Sequence, residues 1–66
     1  MPEDFEKNRK LFLYLFDNDI TQSELAKRSG ISIPLISMNI KGRYAMDNDQ
    51  KQKIANALDC KVEEVF

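Results

Sequence analysis

The sequence predicts an all-α fold built from five short helices. Apolar residues recur at helical spacing along the chain, and no segment alternates polar and apolar residues as a strand would. Gly and Pro occur only twice each. The length of 66 residues allows one small domain, and 42% hydrophobic with 32% charged residues is a globular composition.

The first helix is predicted to run from about Glu3 to Phe16, with Pro2 at its entry and the "DND" of residues 17–19 at its end. Its buried face is expected to hold large apolar side chains, namely Phe5, Phe12, Leu15 and Phe16, flanked by Leu11 and Leu13. The aromatic residues of this helix are therefore expected in the core. Tyr14 is the one aromatic residue that we consider free to serve a dimer.

The second helix has clear start and stop signals. Thr21 is a good N-cap, and Glu24 stands three residues later, as in a capping box. Ile20 and Leu25 occupy the two positions of a hydrophobic staple, and Gly30 occupies the position of a left-handed C-cap. These signals predict a helix of roughly two turns.

The third helix is predicted to start at Ile33 after a Ser32 cap, with Pro34 in its first turn and Gly42 at its end. A helical wheel divides it into two faces. The outward face consists of Ile33, Pro34, Ser37, Met38 and Lys41, and the inward face of Leu35, Ile36, Asn39 and Ile40. A buried Asn39 amide needs partners, so we expect it to bond a neighbouring loop or to lie at the rim of the core.

The fourth helix is predicted from near Asp47 to Leu58, with Gln50 completing a weaker capping box. Its core-facing residues are Ile54, Ala55 and Leu58. A final short turn, "KVEEVF", is expected to place Val62, Val65 or Phe66 against the core. Cys60 is expected to pack against or cap the last turn.

The residue types present do not favour an enzyme, a metal-binding protein or a membrane protein. There is no His, and the single Cys60 has no partner for a disulfide or a metal cluster. The usual general bases and nucleophile pairs are also missing, so we expect neither catalysis nor a cofactor. The start, "MPEDFEKNRK", does not resemble a signal peptide, and no apolar run reaches transmembrane length, so a soluble cytoplasmic protein is expected.

The charge distribution is more favourable to nucleic acid than the net charge of -1. Lys27, Arg28, Lys41 and Arg43 are concentrated between residues 22 and 45, where Glu24 is the single acid. Two short helices joined by a tight Gly-containing turn are also the geometry that places the second helix in the major groove of DNA.

The segments "TQSELAKRSGIS", "IPLISMNIKGR" and "KIANALDCKVEEVF" resemble the Cro/C1-type (Xre-like) helix-turn-helix family of phage and bacterial regulators. The matching residues are Thr21, Gln22, Glu24, Leu25, Ala26, Gly30, Ile31, Ser32, Ile36, Ser37, Gly42, Arg43, Ile54, Ala55, Ala57, Leu58, Val62, Val65 and Phe66. The resemblance covers about residues 10 to 66 and depends on the combination rather than on one motif. It implies a compact five-helix lambda-repressor-like DNA-binding domain over residues 1–66, with its helix-turn-helix at about 21–42.

The resemblance also implies which residues contact DNA. The base-contacting positions correspond to Ile33, Pro34, Ser37 and Met38. The phosphate contacts correspond to Thr21, Gln22, Ser32, Lys41, Arg43 and Tyr44. The chain departs from the family at Asn39, where a large apolar or aromatic residue is usual, and in the first turn of the fourth helix, where Asn48, Lys51 and Gln52 stand where Leu is commoner.

The apolar outward face of the third helix leaves three interpretations open. Ile33, Pro34 and Met38 could contact thymine methyl groups, could form a patch for a protein partner, or could be buried if the helix register differs by one turn. The leading hypothesis is a sequence-specific transcriptional regulator that binds a double-stranded DNA operator as a homodimer. The alternative is a protein-interaction module, such as an antirepressor or antitoxin, that uses the same apolar face.

Overall fold

Five α-helices joined by short connections make up residues 7–66, the part of the chain that the computed structural model describes. The helices are α1 (Arg9–Asp17), α2 (Gln22–Ser29), α3 (Ile33–Lys41), α4 (Asn48–Leu58) and α5 (Val62–Val65). No strand occurs within this range. The predicted all-α, five-helix fold is confirmed.

The predicted start of the first helix at Glu3 is wrong, because the first two described residues, Lys7 and Asn8, are not helical and α1 begins at Arg9. The Asn8 side chain caps the helix by accepting a hydrogen bond from the Leu11 N–H (3.1 Å). The backbone N–H of Asn8 donates to the carbonyl of Ile40 (3.1 Å), and these two bonds hold Asn8 outside the helix. The expectations for Pro2, Glu3 and Phe5 lie outside the described residues.

The expected buried face of this helix is also wrong. Leu11 and Leu15 are the buried residues of α1, whereas Phe12 and Phe16 are 50% and 71% exposed and Leu13 is 52% exposed. Residues 11–16 are all apolar or aromatic. They therefore occupy every side of the helix, and their spacing does not identify which face is buried. The face is selected by packing of α1 on α3 and α5.

Tyr14, which was considered for a dimer contact, is half-buried and packs against the core of its own chain. Its hydroxyl donates to the carbonyl of Leu58 (3.3 Å) at the end of α4. Cys60 packs beside it, as expected, and burial together with the nearby Glu64 carboxylate raises the pKa of the Cys60 thiol above its usual value.

The helix-turn-helix has the predicted boundaries, with one local difference. Thr21 caps α2 by accepting from the Glu24 N–H (3.0 Å). The capping box is incomplete, because the Glu24 carboxylate pairs with Arg28 (2.7 Å) instead of returning to Thr21. Gly30 ends α2 with φ 77°, a left-handed conformation in which a side chain would be strained. Ser32 then caps α3 through the Leu35 N–H (3.4 Å).

The core lies where α2 packs against α3 and α4, and where α5 closes the molecule against α1 and α4. Its fully or nearly fully buried residues are Leu11, Leu15, Leu25, Ile31, Ile36, Met46, Ile54, Ala55, Leu58 and Val65. The predicted capping box of α4 is complete, since Asp47 and Gln50 each bond the other's backbone N–H. Among residues 7–66, no helix has the length and apolar character needed to span a membrane.

Candidate nucleic-acid interface

The outward face of α3 is the one that the helical wheel predicted. Ile33 and Met38 are 44% and 36% exposed, and Pro34 is also exposed. Ile36, on the opposite side, is completely buried. The interpretation that a shift of register buries the three apolar residues is therefore excluded.

Polar groups accompany this apolar face only at its edge and its ends. Ser37 is half-buried at the edge of the face, and Lys41 is exposed in the last turn. The face thus offers mostly methyl and methylene groups to a partner, with a single hydroxyl among them.

The N-terminal ends of α2 and α3 offer hydroxyl groups next to positively polarised backbone. Thr21 and Ser32 are both exposed, and each accepts a capping bond through its oxygen. Each hydroxyl therefore keeps its own proton for donation to an anion. Gln22, in the first turn of α2, is half-buried. Helix N-termini favour phosphate because their first N–H groups have no partner within the helix.

The C-terminal end of α3 carries two exposed cations. Gly42 adopts φ 81°, and the N–H of Arg43 bonds back to the carbonyl of Met38 (2.7 Å), so the chain turns sharply after Lys41. The ion pairs within residues 7–66 join Arg28 to Glu24 and Lys53 to Asp49. Lys41 and Arg43 take part in neither pair.

Tyr44 follows these cations, but its hydroxyl proton is already used. The half-buried side chain donates a hydrogen bond from its hydroxyl to Oε1 of Gln50 (2.9 Å). The hydroxyl can still accept a bond, whereas a phosphate oxygen requires a donor. Of the six expected phosphate ligands, Tyr44 is thus the one that would have to break an internal bond to serve.

A hydrogen-bonded pair of asparagines, the half-buried Asn8 and the buried Asn39, fixes the end of α3. Asn39 is 7% exposed; its Oδ1 accepts from Nδ2 of Asn8 (2.9 Å), and its Nδ2 donates to the carbonyl of Tyr44 (2.9 Å). Nδ2 of Asn8 also donates to the carbonyl of Val65 (2.9 Å). The expectation that Asn39 bonds a neighbouring loop is confirmed, and the pair joins α3 to the start of α1 and to α5.

Asn8 is a positioning residue that our interpretation of the sequence missed. It was placed inside the first helix, although Asn is a strong N-cap residue and the signal was available at that position. Its partner Asn39 is 31 residues away in the chain. Local patterns do not reveal a contact at that separation.

The arrangement of α2, the Gly30 turn and an outward-facing α3 defines a class, the helix-turn-helix DNA-binding proteins. The family model described as the Cro/C1-type HTH DNA-binding domain matches residues 10–66. The chain belongs to this family and is a DNA-binding transcriptional regulator.

Among solved structures, the chain is similar to the restriction-modification controller protein C.AhdI from Aeromonas hydrophila. The TM-score is 0.84 at 24% sequence identity, and the match covers 89% of each chain. At this identity the similarity shows a shared fold. A comparison with curated proteins found no match.

Proposed function

We propose that the protein recognises a specific operator by inserting α3 into the major groove and reading it largely through methyl contacts. The observation that carries this proposal is the exposed face formed by Ile33, Pro34 and Met38 on a helix whose other side is buried. The C5-methyl group of thymine is the apolar feature of the major groove, so the expected operator is rich in A·T pairs at the contacted steps. Ser37 supplies hydrogen bonding at the edge of this face.

Phosphate contacts at both ends of the helix-turn-helix would hold α3 in register. Thr21, Gln22 and Ser32 lie at helix N-termini, where backbone N–H groups and hydroxyls favour an anion. Lys41 and Arg43 supply positive charge at the opposite end. Contacts of this kind orient a protein on DNA without carrying sequence information.

The proposal is tested by selection of the native protein against a randomised duplex pool at several salt concentrations. Enrichment of related sequences containing consecutive A·T pairs, with affinity falling as salt rises, is the expected result. Retention of the pool without enrichment would show that α3 does not read sequence. A scrambled duplex of the same composition serves as the control.

The protein is also expected to bind as a homodimer, at least on DNA, because such small domains bind paired half-sites. The exposed Phe12, Leu13 and Phe16 of α1 form an apolar surface that a second copy could cover. Since a large aromatic side chain buries roughly 150–250 Å², these residues supply on the order of 300 Å² per copy. A standard interface buries about 800 Å² per partner, so association without DNA should be weak. Such a regulator would act in the cytoplasm.

A second candidate function is a protein-interaction module of the antirepressor or antitoxin type. The observation that favours it is that the outward face of α3 presents Ile33, Pro34 and Met38 without Arg, Gln or Asn. Substitution Ile33→Asp separates the candidates when the genetically neighbouring protein is used as the binding partner. Loss of that partner with unchanged DNA binding supports the module, and the reverse supports the operator-binding regulator.

A further inference from the structure

An open pocket of about 560 Å³ lies between the start of α1 and the loop that follows α3. Its lining includes four cationic residues, Lys7, Arg9, Lys10 and Lys51, and no Asp or Glu among the residues that the structure describes. We call it the α1 pocket. All four of these cations lie outside the helix-turn-helix, and none of them is among the cations already assigned to phosphate.

The positive charge of the α1 pocket is not cancelled by ion pairs within the described residues. Neither ion pair in residues 7–66 involves one of its four cations. Lys10 Nζ has only a long bond to the carbonyl of Glu63 (3.4 Å), and Lys51 Nζ lies 5.7 Å from the centre of the Phe66 ring. The cation–π contact keeps Lys51 at the wall without neutralising it.

The α1 pocket adjoins the end of the DNA-reading helix. The bonds from Asn8 to Ile40 and Asn39 hold Lys7 and Arg9 beside the chain segment that carries Lys41. On its other side the pocket is lined by Tyr44, which follows Arg43. The cations at the end of α3 and those of the pocket are therefore neighbours, and the hydrogen bonds of Asn8 fix their relative position.

We propose that the α1 pocket binds the phosphodiester backbone of operator DNA, outside the base pairs that α3 reads. This inference rests on the proposed function. DNA leaving the C-terminal end of α3 would meet Lys7, Arg9, Lys10 and Lys51 next. Because every sequence has the same backbone, the pocket adds affinity and salt dependence but no base preference. It also accounts for DNA binding by a chain with a net charge of -1.

The test compares the Lys7→Gln/Arg9→Gln double variant with a Lys53→Gln/Lys61→Gln double variant that removes the same charge elsewhere. Affinity is measured against salt for the selected operator, both as a minimal duplex and with several flanking base pairs added. For the native protein we expect tighter binding to the longer duplex. The pocket variant should lose this gain, and its salt slope should fall by about 1.8, since each phosphate contact contributes about 0.9.

The control variant should keep the flank effect and the slope, and the pocket variant should keep the base preference of the native protein. The single variant Arg9→Lys, with Lys7 unchanged, retains both positive charges and should keep most of the native salt slope. This comparison separates the effect of charge from an effect on folding. Circular dichroism checks that each variant is folded.

An unchanged slope and flank effect in a folded pocket variant that still selects the operator would overturn the inference while the proposed function stands. Shifts of the Lys7–Lys10 amide signals with inorganic phosphate, without any DNA effect, would assign the pocket to a small anion and also overturn it. Failure of the native protein to select any operator would instead contradict the proposed function.

Discussion

At the scale of single residues, Asn39 shows how a departure from the family pattern is accommodated. A polar side chain replaces the usual large apolar one, yet all buried side-chain polar atoms of residues 7–66 have hydrogen-bond partners. Asn39 bonds the side chain of Asn8, the N-cap residue of α1, and the backbone of the loop after α3. The sequence predicted that Asn39 would need partners, but not that Asn8 would be one of them, because a contact across 31 residues leaves no local pattern.

Substitution Asn39→Ala is expected to lower the free energy of unfolding by about 2 kcal/mol, because it leaves the Tyr44 carbonyl and the Asn8 amide with fewer partners. Urea denaturation measures the change. Asn56→Ala, which removes an exposed asparagine bonded to Gln52, is the control and should change stability by about 0.5 kcal/mol or less.

A double-mutant cycle with Asn8→Ala tests the pair itself. We expect a coupling energy of about 1 kcal/mol, within the usual range for residues in one hydrogen-bond network. Strictly additive effects would show that the two asparagines act independently, contrary to the network in the structure.

At the scale of helices, prediction succeeded where capping chemistry marks the ends. Thr21, Gly30, Ser32 and Gly42 occupy the expected caps, and they fix the bounds of α2 and α3. For α1, six consecutive apolar or aromatic residues surround the helix, so periodicity did not identify the buried face. Only packing against α3 and α5 resolves it, and that information is not local.

Along α3 and the two residues that follow it, we expect some side chains to contact bases and others to contact phosphates. Met38→Ala should change preference at one base step, with a loss of roughly 0.8 kcal/mol in discrimination, the value of one buried methyl contact. Arg43→Ala should instead weaken all duplexes alike and reduce the salt slope by about 1. Affinities for single-base operator variants at several salt concentrations measure both effects. An equal loss of affinity for every duplex in the Met38→Ala variant would show that Met38 does not contact a base.

At the scale of the whole molecule, the unexpectedly exposed apolar side chains of α1 form a candidate surface for the hypothetical dimer. Three apolar residues of α1 that were expected in the core or beside it are instead exposed in the described part of the chain, namely Phe12, Leu13 and Phe16. A small domain that keeps three large apolar side chains exposed has a candidate site for association.

Substitution Phe16→Glu should abolish cooperative binding of two copies to a paired operator while leaving binding to a single half-site intact, because a charge would be buried without a partner. Sedimentation of protein–DNA mixtures gives the stoichiometry. Ile33→Glu is the matched control, and it should remove DNA binding at both duplexes. Unaltered cooperativity in the Phe16 variant would place the dimer contact elsewhere.

The central claim, that the apolar face of α3 reads thymine methyl groups, is tested most directly by replacing thymidine with deoxyuridine in the selected operator. This change removes the methyl group and leaves the hydrogen-bonding edge unaltered. Each contacted position should lose roughly 0.8 kcal/mol, or about fourfold in affinity, and the loss at one position should vanish in the Met38→Ala variant. Equal affinity of the native protein for the thymidine and deoxyuridine operators would contradict the claim.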